Sequence, residues 1–175
     1  MSKLQLKKEL QKLTKEQLIE QIFELYDTYK PVKEYYQTYL NPQNIEALFE
    51  KYKAVIVNEF YPNTISWNPK MRFSVAKKAI TDFGALKPPP KLLTDLLETL
   101  VENASRFTYD YGDMTEQYYN STVNNFERAL KYLQKAGLLD DFKMRCDECL
   151  NYAKPCGYCF PDEMGELFDE YFQEK

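Results

Sequence analysis

The chain has 175 residues, with 27 acidic and 23 basic side chains, four cysteines and no histidine. That length suits one domain able to bury a core without disulfide or metal support, and the missing histidine removes the commonest general base of enzymes. No run approaches 18 apolar residues and the lysine-rich start lacks an apolar segment, so neither a transmembrane helix nor a secretory signal is expected; the expectation is a cytoplasmic protein whose cysteines are thiols or metal ligands.

Helical periodicity runs through the whole chain. Ser2 to Leu13 reads as a first helix, with Ser2 and Gln5 as a capping pair and Leu6, Leu10 and Leu13 on one side. Thr14 and Gln17 form a second capping box, with Leu13 and Leu18 as a hydrophobic staple; the helix that follows runs to about Tyr29 and points Leu18, Ile19, Ile22, Phe23 and Tyr26 inward. Pro31 opens a third helix carrying Val32, Tyr35, Tyr36 and Tyr39. Asn41-Pro42 is a cap and first-turn proline. The stripe Ile45, Leu48, Phe49, Tyr52, Ile56 and Phe60 then predicts a helix that Pro62 ends.

Residues 63–68 read as a loop, and Asn68-Pro69 repeats the cap-proline device before a helix over Lys70 to Leu86. Pro88-Pro89-Pro90 is the strongest break, read as a rigid turn or a subdomain boundary. Beyond it, Lys91 to Tyr111 pairs Leu92/Leu93, Leu96/Leu97 and Leu100/Val101, a double stripe that predicts burial on two sides. Asp113 to Gly137 is the longest clean amphipathic helix, with Tyr119, Val123, Phe126, Leu130 and Leu133 on its apolar face. Asp113 and Glu116 are read as its capping box and Gly137 as its left-handed stop. Leu138 to Ala153 and a last helix from Pro161 complete an all-α chain of eight to nine helices. A multi-helix bundle or short α-solenoid-like array is expected, as one domain over 1–175 with a possible subdomain break near 87–90 and no sheet.

Three sets of residues invite a functional reading. Cys146, Cys149, Cys156 and Cys159 form two CxxC pairs that could supply four thiolates to a tetrahedral zinc. Against that, the spacer is short, and Cys146 and Cys149 fall on the apolar stripe of their helix, where cysteine packs as a small hydrophobe; a redox role is a third possibility. Lys70, Lys77 and Lys78 make a basic face suited to a phosphate or an acidic partner, or simply to solvent. Tyr35 and Tyr36, adjacent on one helix, cannot both face the same core, which leaves a ring free for an interface.

Residues 138–175 hold ten acids and four bases, a balance that disfavours nucleic acid there. Glu98 and Glu102 lie one turn apart, but without histidine they do not make a di-metal site. No GxSxG, P-loop or dinucleotide-type glycine pattern is present.

The segments LKKELQKLTKEQLIEQIFELYD, YKPVKEYYQTYLNP (Tyr29 to Pro42), PKMRFSVAKKAITDF (Pro69 to Phe83) and FERALKYLQKAGLLD resemble a family of small bacterial proteins, of Bacteroidetes type, known only as a domain of unknown function. The resemblance covers most of the chain, does not extend to the CxxC pairs, and implies a cytoplasmic bacterial protein without assigning an activity or a catalytic residue. The combined expectation is a non-enzymatic helical protein, with no cofactor and no membrane, that binds another protein through Tyr35, Tyr36, Lys70, Lys77 and Lys78. The alternative is a zinc-binding regulatory or nucleic-acid-associated module using the four cysteines.

Overall fold

Helix ends follow the capping chemistry wherever that chemistry is local. In the computed structural model, which describes residues 2–173, nine α-helices and one 3-10 turn make up the regular structure, and no strand occurs among the described residues. Helices α1 (Lys3–Leu10) and α2 (Lys15–Thr28) both open on complete capping boxes. The Ser2 hydroxyl accepts from the Gln5 N–H at 3.2 Å while the Gln5 side chain accepts from the Ser2 N–H at 2.8 Å, and Thr14 and Gln17 repeat the exchange. Helix α3 (Lys30–Leu40) carries Pro31 in its first turn, and the turn Pro42–Asn44 leads into α4 (Ile45–Phe60), which stops before Pro62 as expected. The remaining helices are α5 (Phe73–Ala85), α6 (Pro90–Tyr111), α7 (Glu116–Ala136), α8 (Leu139–Ala153) and α9 (Phe160–Phe172). None of the helices is long and apolar enough to cross a membrane among the described residues.

The chain divides into two compact units, Met1–Ile45 and Glu46–Lys175. In the first, α2 packs on α3, and α3 on the 3-10 turn. The inward stripe expected of α2 is corrected here: no residue of α1 or α2 is buried. One neighbouring helix covers only part of so broad a stripe.

In the second unit α6 packs against α5, α7 and α8, and α9 closes on α7 and α8. The double stripe of α6 is buried on both sides, with Leu96, Leu97, Leu100 and Val101 almost wholly removed from solvent. Contacts Lys91–Asp141, Asp95–Arg145 and Tyr109–Tyr152 climb both helices together, so α6 and α8 run parallel and pack directly, with α7 joining the end of one to the start of the other. Tyr119, Phe126, Leu130 and Leu133 of α7 are buried as the periodicity requires, and Gly137 ends the helix in the left-handed region at φ 67°. Phe60, at the end of α4, lies among Phe73, Phe107 and Tyr118. The Pro88–Pro90 run lies within this unit, between α5 and α6.

Two helix starts differ from expectation, and in both a distant carboxylate takes over the local signal. The α5 helix begins at Phe73, not after Asn68-Pro69, because Glu59 holds the preceding segment. The N–H groups of Lys70 and Met71 donate to the Glu59 carbonyl at 3.0 and 2.7 Å, and Met71 takes φ 52°. Arg72 donates its N–H, Nε and Nη2 to the Glu59 carboxylate at 3.1, 2.9 and 2.7 Å. Helix α7 begins at Glu116 with Thr115 as its cap, while Asp113 serves another loop.

Burial pushes the Glu59 carboxyl up, but the hydrogen bonds and charge of Arg72 outweigh it and hold the group below its usual value. A depressed carboxyl gives stability that is present above the unfolded pKa near 4.5 and lost as pH falls through the lower folded value. Glu59→Ala is expected to lower stability by about 1–2 kcal/mol at neutral pH and to shrink the acid-dependent loss seen in the parent, both read from denaturant titrations at a series of pH values.

Candidate functional site

The residues singled out in the sequence fall in separate places. Tyr35 and Tyr36 are half-buried on α3 and meet edge to face at 5.4 Å between ring centroids; Tyr39 stacks on Tyr35 at 6.4 Å and Tyr26 approaches Tyr36 at the same distance. Adjacent positions thus converge into one aromatic cluster of the first unit, with Tyr39 on its exposed side. Lys77 and Lys78 sit on α5, where Lys78 is bound by both oxygens of Asp82 at 3.1 and 2.8 Å. Lys70 is not on that helix: it lies in the loop held by Glu59.

All four cysteines are free thiols. Cys146 and Cys149 are buried on α8; Cys156 is half-buried, its thiol donating to the Tyr152 carbonyl at 3.4 Å; Cys159 is exposed as the cap residue of α9. Among the described residues no group of three or more cysteine, aspartate or glutamate side chains is arranged to hold a metal ion.

Packing places a carboxylate against the buried thiols. Along α6, Thr94, Glu98, Val101, Ser105 and Thr108 follow steps of four and three, all buried, so a largely polar stripe runs between the leucine stripes. Glu98 is fully buried and neither of its oxygens has a hydrogen-bond partner of ordinary geometry; the Ser105 hydroxyl is in the same state. Burial raises the Glu98 carboxyl to about 8, with Glu102 and Asp95 adding to the rise and the Arg145 charge opposing it. The same burial pushes the Cys146 and Cys149 thiols up, and Glu98 pushes them further once it ionises, so both are neutral thiols at physiological pH. Beside them Arg145 donates to both oxygens of Glu102 at 2.6 and 2.7 Å and approaches Asp95 at 3.3 Å. This grouping packs and orders two helices. It offers no open nucleophile.

At one end of the α6–α7 pair, Asp113 accepts from the Tyr119 hydroxyl and from the Gly157 N–H, both at 2.7 Å on the same oxygen. A Cβ on Gly157 would stand 2.8 Å from the other carboxylate oxygen, so any other residue here would displace the Asp113 carboxylate from this position. A pocket of about 140 Å³ opens here, lined by Tyr119, Tyr158, Cys159, Phe160 and three polar residues.

The most exposed apolar feature of the second unit escaped the sequence reading. In the loop between α4 and α5, Ile65 is fully exposed and Trp67 is 49% exposed. The Trp67 ring stacks on Phe107 at 6.3 Å with a 16° tilt and lies 4.8 Å from Tyr111. Tyr61 joins the group, donating its hydroxyl to Asp110 and lying under the Arg106 guanidinium. The available signal was the only tryptophan of the chain, set in a polar, proline-bounded loop with no helical period to claim it.

A buried acid with a raised pKa gives the opposite slope to Glu59. The folded state retains a proton that the unfolded chain releases near pH 4.5, so stability falls as pH rises toward about 8 and then levels. Glu98→Gln removes that proton linkage; its advantage over the parent is expected to grow by about 1.4 kcal/mol per pH unit across that window, as measured by denaturant unfolding.

No curated protein and no solved structure matches the chain. One family pattern does, over residues 1–171. On that match the chain belongs to the family described as Family of unknown function (DUF6155).

Proposed function

We propose that this protein acts by binding another protein, and that the Trp67 loop is the contact. The observation that carries this reading is the combination of exposure with anchorage. Ile65 and Trp67 stand in solvent, while the segment behind them is tied to Glu59 by backbone and side-chain bonds. A loose loop would lose conformational entropy on binding, whereas a loop already fixed in place loses little. Tryptophan, tyrosine and arginine are also the side chains that dominate protein interfaces, and Trp67, Tyr61, Tyr111 and Arg106 adjoin one another here. Of the patches expected from the sequence, Tyr35 and Tyr36 are engaged with each other by ring contact, and Lys78 is engaged by Asp82.

Because Trp67 is the only tryptophan, its fluorescence reports on this surface alone. Proteins retained from a native lysate by the parent but not by Trp67→Ala/Ile65→Ser are to be purified and titrated. The expected result is a blue-shifted Trp67 emission in the parent and a loss of affinity of about thirtyfold in the double variant, with its helical circular-dichroism signal unchanged. An identical set of retained proteins for parent and variant would refute the assignment.

A further inference from the structure

We propose that the α1–α2 segment of the first unit is the contact between two copies of this chain. Both helices are built to form, each with a complete capping box, yet neither buries a residue. Helix α1 has eight residues, below the about 12–15 at which an isolated helix becomes even marginally stable in water, so it needs a covering surface. The side chains awaiting cover are large: Leu4 is 65% exposed and Phe23 64%, with Leu6, Ile19, Ile22 and Leu25 also exposed. So much exposed apolar side chain on one small unit marks an interaction face.

Charge identifies the occupant. Helix α1 carries three lysines, Lys3, Lys7 and Lys8, against Glu9, while α2 carries Glu16, Glu20, Glu24 and Asp27 against Lys15. A uniformly acidic partner would be repelled by α2 and a uniformly basic one by α1. A surface that offers both signs, a basic helix beside an acidic one, is the same segment related by a two-fold axis, with α1 of each copy lying on α2 of the other. A two-fold contact makes each favourable pairing twice.

The test is sedimentation equilibrium of the full chain up to about 100 µM, a range that detects micromolar association. The parent is expected to dimerise. Ile22→Asp/Phe23→Asp should weaken the dimer by about thirtyfold or more. Glu20→Lys/Glu24→Lys, which touches only exposed charges, should weaken it too, and adding Lys7→Glu/Lys8→Glu should restore it by exchanging the signs. Trp67→Ala should leave the dimer intact, which separates this contact from the one proposed above. A chain monomeric at the highest concentration, a dimer indifferent to the Ile22/Phe23 change, or a sign exchange that restores nothing would overturn the proposal. So would a monomer that floats with phosphatidylglycerol vesicles, in which case the cover is a lipid surface.

Discussion

Arg145 spreads one guanidinium over Glu102 and Asp95, and the seam between α6 and α8 depends on that grip. Three acids line the same side of α6, and one of them, Glu98, is fully buried. Without a cation on α8, Asp95 and Glu102 would repel each other beside a carboxyl that cannot reach water. With Arg145 in place the two outer acids are satisfied, and the inner one keeps its proton. The planar fork matters: it engages two oxygens of Glu102 and still reaches Asp95, which a lysine ammonium could not do in the same geometry. Since α6 also carries α5 and α7, the register of this one pair propagates through most of the second unit.

Local physics was legible in the sequence and non-local physics was not. Both N-terminal capping boxes, the first-turn proline of α3, the stop before Pro62 and the left-handed Gly137 depend on residues within four positions, and each appears as read. The two helix starts that moved did so because their would-be cap or first turn is bound by a residue far along the chain: Glu59 lies 13 positions before Arg72, and Asp113 lies 44 before Gly157. Periodicity located the buried faces of α6, α7 and α8, including Cys146 and Cys149. It failed for α2, because a stripe indicates what a helix prefers to cover and not whether the unit supplies a cover.

The candidate sites divide in the same way. Glu98 looks like a surface residue beside Glu102, although two leucine stripes flanking it leave little of the α6 circumference for solvent. Trp67 has no period at all, so its environment is set by Phe107 and Tyr111, some forty positions away. Adjacent helix positions such as Tyr35 and Tyr36 are expected to diverge, yet their rings meet edge to face. The two surfaces that emerge differ in kind. One is a fixed aromatic loop on a packed unit, and the other is a pair of capped helices whose apolar side is uncovered.

The carboxylate of Asp113 ties two turns that are far apart in sequence to one oxygen atom. Neither turn can shift alone, because moving the 155–159 segment either breaks a short bond to a charged acceptor or drags the α6–α7 corner and Tyr119 along. Tyr119 in turn stacks on Phe160 and touches the Thr108 hydroxyl, which itself stands 3.5 Å from the Cys156 sulfur. Mechanically, this extremity behaves as a single latched plate: a push at Tyr158 is felt at the first turn of α7 and the last turn of α6 together.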